Sequence, residues 1–233
     1  MAAGGDLPKA RKRRLGCFAV LIALALAPVA GVLVHAVVPP PLTLLMVQRL
    51  FEGEGLHVRW RGLNRISPDL VDAVIAAEDA RFCEHNGFDF EAIQDAIEDN
   101  ADGRRGRGGS TISQQTAKNG FLRSGRSWIR KGLEAGYTVL IETFWSKRRI
   151  MEMYLNVAEM GPGVYGAEAA SRYWFDKSAS ELTRTEAARL AAILPNPREY
   201  RAASPGPYVR RRARAIQGNM AVIRNDGLND CTA

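Results

Sequence analysis

The chain has 233 residues, 46% of them apolar and 24% charged, and 32 Lys and Arg against 25 Asp and Glu leave a formal net charge of +7. That length supports one domain with a substantial core and is too short for two large ones. Ordinary Gly and Pro totals and four Trp, all beyond residue 59, exclude a disordered or fibrous chain. The surplus charge is uneven: residues 1–14 carry +4, residues 39–101 carry −7, residues 102–149 carry +8 and residues 150–233 carry +2. An acidic stretch followed by a basic one suggests a site that handles both protons and anions.

Residues 1–14 read as a basic cytoplasmic tail. From Leu15 to Val34 twenty residues pass without a charge, preceded by Lys9, Arg11, Lys12, Arg13 and Arg14. As a helix that run is about 30 Å long, one bilayer core. The spacing therefore predicts a transmembrane anchor over 15–38, with the basic end in the cytoplasm and the rest on the far side. A cleaved signal peptide is the alternative, with Ala25-Leu26-Ala27 as a small-residue site; Pro28 directly after it and the continuing apolar run favour retention. Pro39-Pro40-Pro41 ends the helix and opens a juxtamembrane segment, 39–66. There Leu42, Leu45, Met46 and Leu50 recur at helical spacing, and Val58, Trp60 and Leu63 alternate with Arg59 and Arg61. The pattern fits either ordinary packing or a segment resting on the outer membrane surface.

Residues 67–225 read as one mainly α domain. Ser67-Pro68 opens a helix containing Leu70, Val71, Val74 and Ile75, and Asp89 precedes one with Ala92, Ile93, Ala96 and Ile97. Thr111 with Gln114, and Thr183 with Glu186, have capping-box spacing. Ser127 opens a long amphipathic stretch, and Val209, Ala213, Ile216, Met220 and Ile223 form a late apolar stripe. Strand signals are weak and no 20–50-residue repeat occurs. Residues 226–233 read as a polar tail. The three cysteines, Cys17, Cys83 and Cys231, draw no disulfide framework, and His35, His57 and His85 form no metal-ligand pair.

Three features stand out as chemistry. Glu78 lies seven, four and three positions after Val71, Val74 and Ile75, so it continues an apolar helix face. A carboxylate there is either paired, with Asp79 beside it as partner or orienting group, or desolvated toward a working general base. Gly108-Gly109-Ser110-Thr111-Ile112-Ser113-Gln114-Gln115 leads to Lys118, and Thr111, Gln114, Gln115 and Lys118 draw a polar stripe on one helix face after a glycine-rich approach, a natural anion site or a solvated face. No Gly-Lys-Ser/Thr follows, so this is not a nucleotide P-loop. Arg126 and then Arg130-Lys131 precede Glu134, and Arg130, Lys131 and Glu134 can meet on one helix surface.

Together these pieces resemble the peptidoglycan glycosyltransferases of family 51. Glu78-Asp79-x-x-Phe82-x-x-His85-x-Gly87 matches that family's first motif, Gly108 to Gln115 its second, Arg130-Lys131-x-x-Glu134 its third and Arg149 to Asn156 its fourth. Gly163 to Ala170 and Leu194-Pro195-Asn196-Pro197 carry the similarity to about residue 200. With no Ser-x-x-Lys or Lys-Thr-Gly, the chain resembles the short, monofunctional branch. The resemblance implies a lysozyme-like helical domain on the periplasmic side of a bacterial inner membrane, which polymerises lipid II. Glu78 would take the proton of the acceptor GlcNAc 4-hydroxyl, and the oxygen would attack C1 of the donor MurNAc with inversion, expelling undecaprenyl pyrophosphate. Lys118, Arg126, Arg130 and Lys131 would meet the pyrophosphate, while Asp79, Ser110, Thr111, Gln114 and Gln115 would bind substrate. Glu134 would be the second essential carboxylate, orienting the donor or holding a divalent cation, Mg or Mn, at the pyrophosphate. Phe82, His85, Gly87 and Asn156 would be structural. Implied partners are lipid II, the growing chain, the membrane and proteins of division or elongation, but no nucleic acid. Asp176, where many members have Gly, departs from the pattern.

Two rivals remain. A lysozyme-like enzyme that cuts glycan needs a catalytic acid but gains nothing from cations aimed at a pyrophosphate. A membrane-tethered binding module with a basic face at 102–149 would bind anions in a salt-sensitive way without needing Glu78.

Overall fold

The computed structural model describes residues 18, 23, 26–101, 109–125 and 127–233. Among them no helix is long and apolar enough to cross a membrane. Much of the expected anchor over 15–38, and all of the basic tail, lie outside the described residues. Residues 26–35 are helical, and the end of that helix is fastened to the domain. The Trp145 indole N–H donates to the Val32 carbonyl at 2.8 Å, and Arg149 donates to the His35 carbonyl at 2.9 and 3.1 Å.

The helices follow the sequence signals closely. Helix α1 (Leu44–Phe51) starts at Thr43 and buries Leu45 and Met46. Helix α2 (Pro68–Glu78) has Pro at its first position and buries an unbroken run from Leu70 to Ala76. Helices α3 (Phe90–Ala101) and α4 (Ile112–Phe121) follow, the latter with the full Thr111/Gln114 capping box. Ser127 caps α5 (Trp128–Phe144) and Ser146 caps α6 (Lys147–Val157), each accepting from the backbone N–H three residues on. Helix α7 (Ala167–Phe175) leads to α8 (Arg184–Ile193), which has the Thr183/Glu186 capping box. Helix α9 (Pro207–Asn225) buries Val209, Ala213, Ile216, Met220 and Ile223, the whole of its apolar stripe.

These helices form two packed groups. One joins α2, α8 and α9; the other sets α4 against α1, α5 and α6. A continuous apolar core runs through both, and hydrogen bonds from Gln115 to Glu78 and from the Ile112 N–H to Asp79 join the C-terminal end of α2 to α4. A small sheet flanks the core: β1 (His57–Val58) is parallel to β3 (Val164–Tyr165), which is antiparallel to β2 (Glu159–Gly161). Strands of two and three residues are too short to show alternation, which is why the sequence signal is weak.

Residues 39–66 pack as part of the domain. Leu45, Met46, Leu63 and Ile66 are buried, Val58 enters the sheet, and Trp60 lies against the core with Arg149 over its ring at 5.2 Å. For Val58 and Trp60 ordinary packing is therefore the correct reading. The Asn156 amide clasps this segment, accepting from Arg61 N–H and donating to Arg61 C=O, both at 2.8 Å. Glu152 accepts from Leu63 N–H at 2.9 Å.

The cysteine expectation is corrected. Cys83 and Cys231 form a disulfide across 148 positions, and the tail 226–233 is pinned by it. Spacing alone cannot show a bond that only tertiary packing brings together. The chain-entropy model gives such a cross-link about 4–5 kcal/mol. Asp176 is explained as well: it ends α7 at φ 54°, ψ 36°, a left-handed position that suits Gly and that Asp tolerates.

Glu168 is fully buried at the base of α7 and accepts from Arg172, Arg61, Ser178 and the Ala179 N–H. Burial pushes its pKa up, but the Ala179 amide and the two arginines outweigh it and hold the carboxyl at about 2, below its ordinary 4.5. Its contribution to stability is complete above pH 4.5 and disappears as pH falls to about 2. Glu168→Gln is expected to cost about 3 kcal/mol at neutral pH by denaturant unfolding, a difference that shrinks as pH falls through that window.

Candidate active site

Glu78 is the last residue of α2, and its two oxygens are engaged from both helix groups. Gln115 Nε2 on α4 donates to Oε2 at 2.9 Å, and Arg212 on α9 donates to Oε1 at 3.1 Å and to the Ala77 carbonyl at 3.2 Å. The Tyr154 hydroxyl, buried behind, donates to Gln115 Oε1 at 3.3 Å and so sets the amide with its NH2 toward the carboxylate. Desolvation is the largest influence on Glu78 and raises its pKa above the ordinary value, against the Gln115 hydrogen bond and the charges of Arg212 and Lys118. A carboxylate so placed is a stronger base than one in water and still keeps its charge partners.

Asp79 turns away from Glu78 and is buried. Its Oδ2 accepts from the Ile112 N–H at 2.9 Å, and its Oδ1 faces His85 Nε2 at 2.9 Å. The N-terminus of α4, with the anion-binding character expected of it, is thus filled by the protein's own carboxylate. His85 Nδ1 accepts from the Gly87 N–H at 3.1 Å, which leaves Nε2 to carry the proton given to Asp79. Gly87 takes φ 91°, and a Cβ there would lie 2.7 Å from Thr138 Cγ2. Phe82 is fully buried beneath Lys147, whose ammonium sits 4.6 Å from the ring centroid and donates to the His85 carbonyl at 2.6 Å.

The expected polar stripe on α4 divides in two. Thr111 and Gln114 are buried and spent on the cap: Thr111 Oγ1 donates to the Gly87 carbonyl at 2.7 Å and accepts from Gln114 N–H, while Gln114 Oε1 accepts from Thr111 N–H. Gln115 and Lys118 face the cleft. Ser110 is exposed ahead of the helix. A cavity of about 350 Å³ opens here, with Gln115, Lys118, Arg130, Tyr154, Arg49 and Arg123 on its walls. A second cavity, about 410 Å³, lies away from these residues beside His57, Arg59 and Tyr173.

Glu134 is buried on α5 between two cations, Arg130 at 2.8 Å and Lys131 at 2.5 Å. Desolvation lowers the Lys118 pKa, with Arg130 and Lys131 adding to it and Glu134 and Glu78 opposing. Cations crowded in this way gain by meeting an anion. Arg130 Nε is buried with no hydrogen-bond partner among the described residues. Arg126 lies outside the described residues.

The residues do not fit a metal at Glu134, because each of its oxygens is held by a cation. Among the described residues the one cluster with metal-ligand geometry is Asp79, His85 and Asp89. There too the ligand atoms are taken, Asp89 by Arg81 and the Ala92 N–H.

Sequence reasoning misses Arg212, Arg49 and Arg123. Arg212 stands in a run of three arginines, and only the crossing of α9 over the end of α2 selects it. Arg49 is drawn in by Glu52 and Glu159.

The sequence pattern of the family described as Transglycosylase matches residues 46–221. The chain belongs to that family. It is 56% identical over 223 residues to the biosynthetic peptidoglycan transglycosylase of Caulobacter vibrioides, covering 96% of each chain. It is 54% identical over 216 residues to the protein so named from Xanthomonas campestris, covering 90% of this chain and 88% of the relative. A third, from Rhodospirillum centenum, is 52% identical over 214 residues, covering 91% and 93%. Every motif residue described above falls inside the matched span.

Removing Arg212 takes away a charge that opposes desolvation of Glu78. Arg212→Met is therefore expected to move the Glu78 midpoint to higher pH than in wild type, which itself lies above 4.5. Carbon-13 NMR of labelled glutamate, assigned with Glu78→Gln, reads both midpoints; an unmoved midpoint would place Arg212 elsewhere in solution.

Proposed function

We propose that this transglycosylase polymerises lipid II into glycan strands, with Glu78 as the general base. The observation that carries the reading is one junction holding two kinds of group. A desolvated carboxylate ends α2, and across Gln115 from it Lys118 and Arg130 line a cavity that Lys131 adjoins through Glu134.

In this reading Glu78 removes the proton of the acceptor GlcNAc 4-hydroxyl as its oxygen attacks C1 of the donor MurNAc from the opposite face. The bond to the pyrophosphate breaks, C1 inverts, and undecaprenyl pyrophosphate leaves with its charge. Lys118, Arg130 and Lys131, joined by Arg126, stabilise that charge as it develops. Glu134 holds Arg130 and Lys131 in place rather than reacting, and a divalent cation enters only as a counter-ion of the lipid pyrophosphate. A leaving group that carries its own charge calls for cations; a glycan-cleaving enzyme calls for a protonated carboxyl at the glycosidic oxygen.

The substrate is a lipid, and the surface suits one. Leu44, Leu50 and Phe51 on α1, Phe90 and Ile97 on α3, and Trp128, Ile129 and Leu133 on α5 are exposed. We assign these to the outer face of the inner membrane, with 15–38 as a single-pass anchor. A disulfide in the domain supports the oxidising side of that membrane.

Purified protein incubated with lipid II is expected to give glycan polymer on gels, and Glu78→Gln to lower the rate by about 10²-fold or more. No polymer from wild type, or an undiminished rate from Glu78→Gln, overturns the assignment. Lys118→Ala is expected to lower kcat by about 10²-fold with little change in Tm; a parallel loss of both would make Lys118 structural.

A further inference from the structure

The loop 79–89 that follows Glu78 is held from two sides. On the inner side are the contacts of Asp79, Phe82, His85 and Gly87 with α4 and Lys147. On the outer side Cys83 is bonded to Cys231, with Cα atoms 5.6 Å apart.

The residues around Cys231 have their own fixings. Asn229 Nδ2 donates to Asp72 Oδ1 at 2.6 Å, and the Arg224 Nε beside it donates to Asp72 Oδ2 at 2.8 Å. Asp72 is wholly buried on α2, six positions before Glu78. Arg148 on α6 donates to the Thr232 carbonyl at 2.9 Å, and a short 3-10 helix, Asp230–Thr232, packs on α6. Leu228 and Cys231 pack against the core. The segment 226–233 therefore touches α2, α6 and the loop between Glu78 and α3 at once. None of its residues lines the cavity.

We propose that residues 226–233 and the Cys83–Cys231 disulfide form a redox-sensitive clasp that positions the Glu78 loop, so that turnover is higher in the oxidised protein than in the reduced one. This rests on the polymerase reading above. Cys83 and Cys231 are positioning residues. Closing the bond takes two electrons and two protons from the thiols to a disulfide-bearing oxidant. A dithiol reopens it: one thiolate attacks a protein sulfur and expels the other as a thiolate, and the reagent's second thiolate then attacks the mixed disulfide, releasing the remaining protein thiolate and leaving the reagent as its own disulfide. Both cysteines are only half-buried, so a reagent can reach them. Opening the clasp frees the outer face of the loop while leaving Lys118, Arg130 and Lys131 in place. The effect falls on placement of the base, hence on kcat, and not on lipid binding.

The test uses the full chain in detergent micelles, oxidised or treated with a dithiol reductant, with lipid II as substrate at a temperature below both melting transitions. Peptide mass spectrometry without reduction is expected to show 83 linked to 231. Reduction is expected to lower kcat about fivefold or more with KM unchanged. Cys83→Ser and Cys231→Ser should both show the reduced rate and no response to reductant, whereas Cys17→Ser should respond as wild type does. Free thiols at 83 and 231 overturn the proposal. A kcat that stays the same on reduction while Tm falls also overturns it, making the bond structural only. Absence of polymer from oxidised wild type is a different failure, of the polymerase reading itself and of the claim on turnover with it; the linked peptide distinguishes the two.

Discussion

The two hydrogen bonds of the buried Asp79 carboxylate are the constraint on which the rest of the site depends. One oxygen takes the first N–H of α4 and the other takes His85, so one side chain joins the end of α2, the loop after it and the start of α4. A buried charge is tolerated only when it is paired and hydrogen-bonded, and a helix N-terminus is a favourable place for it. With Asp79 fixed at the start of α4, its neighbour Glu78 meets Gln115 one turn along the same helix. Glu78, the amide that orients it and the cation Lys118 thus share a single helix as their reference. The tautomer of His85 follows from the same bond, since its other nitrogen already accepts from Gly87.

Charge is sorted in space as it is in sequence. The acidic stretch contributes the carboxylates that end and follow α2, and the basic stretch contributes α4 and α5 with Lys118, Arg130 and Lys131. Neither group could work alone. An isolated carboxylate at the end of a buried helix would lose its charge to desolvation, and an isolated cluster of cations would repel itself. Brought together, they compensate: Lys118 and Arg212 oppose the desolvation of Glu78, and Glu134 and Glu78 oppose that of Lys118.

Much of this was legible in the sequence because it is local. Capping boxes at Thr111 and Thr183, Pro68 at the start of α2 and the five-residue stripe of α9 all depend on spacings of three and four, which the chain displays directly. Glu78 stood out because a carboxylate continued an apolar face. What was not legible depends on distant segments meeting. Arg212 is 134 positions from Glu78 and looks like Arg210 and Arg211 until α9 is laid over α2. Cys83 and Cys231 are 148 positions apart. The division of the α4 stripe, with Thr111 and Gln114 turned to the cap and Gln115 and Lys118 to the cleft, needed the position of Gly87, whose carbonyl claims the Thr111 hydroxyl.

Asp79 positions Glu78, the proposed base, and that dependence is open to measurement. Its most direct test is the steady-state kcat of Asp79→Asn with saturating lipid II, below the variant's own melting temperature. Asn has one acceptor where Asp has two, so its NH2 must face either the Ile112 N–H or the His85 Nε2–H, and the loop must shift. A loss in kcat of about 10²-fold with folded protein is the predicted result. Wild-type kcat from folded Asp79→Asn would show that Glu78 holds its position without the Asp79 carboxylate.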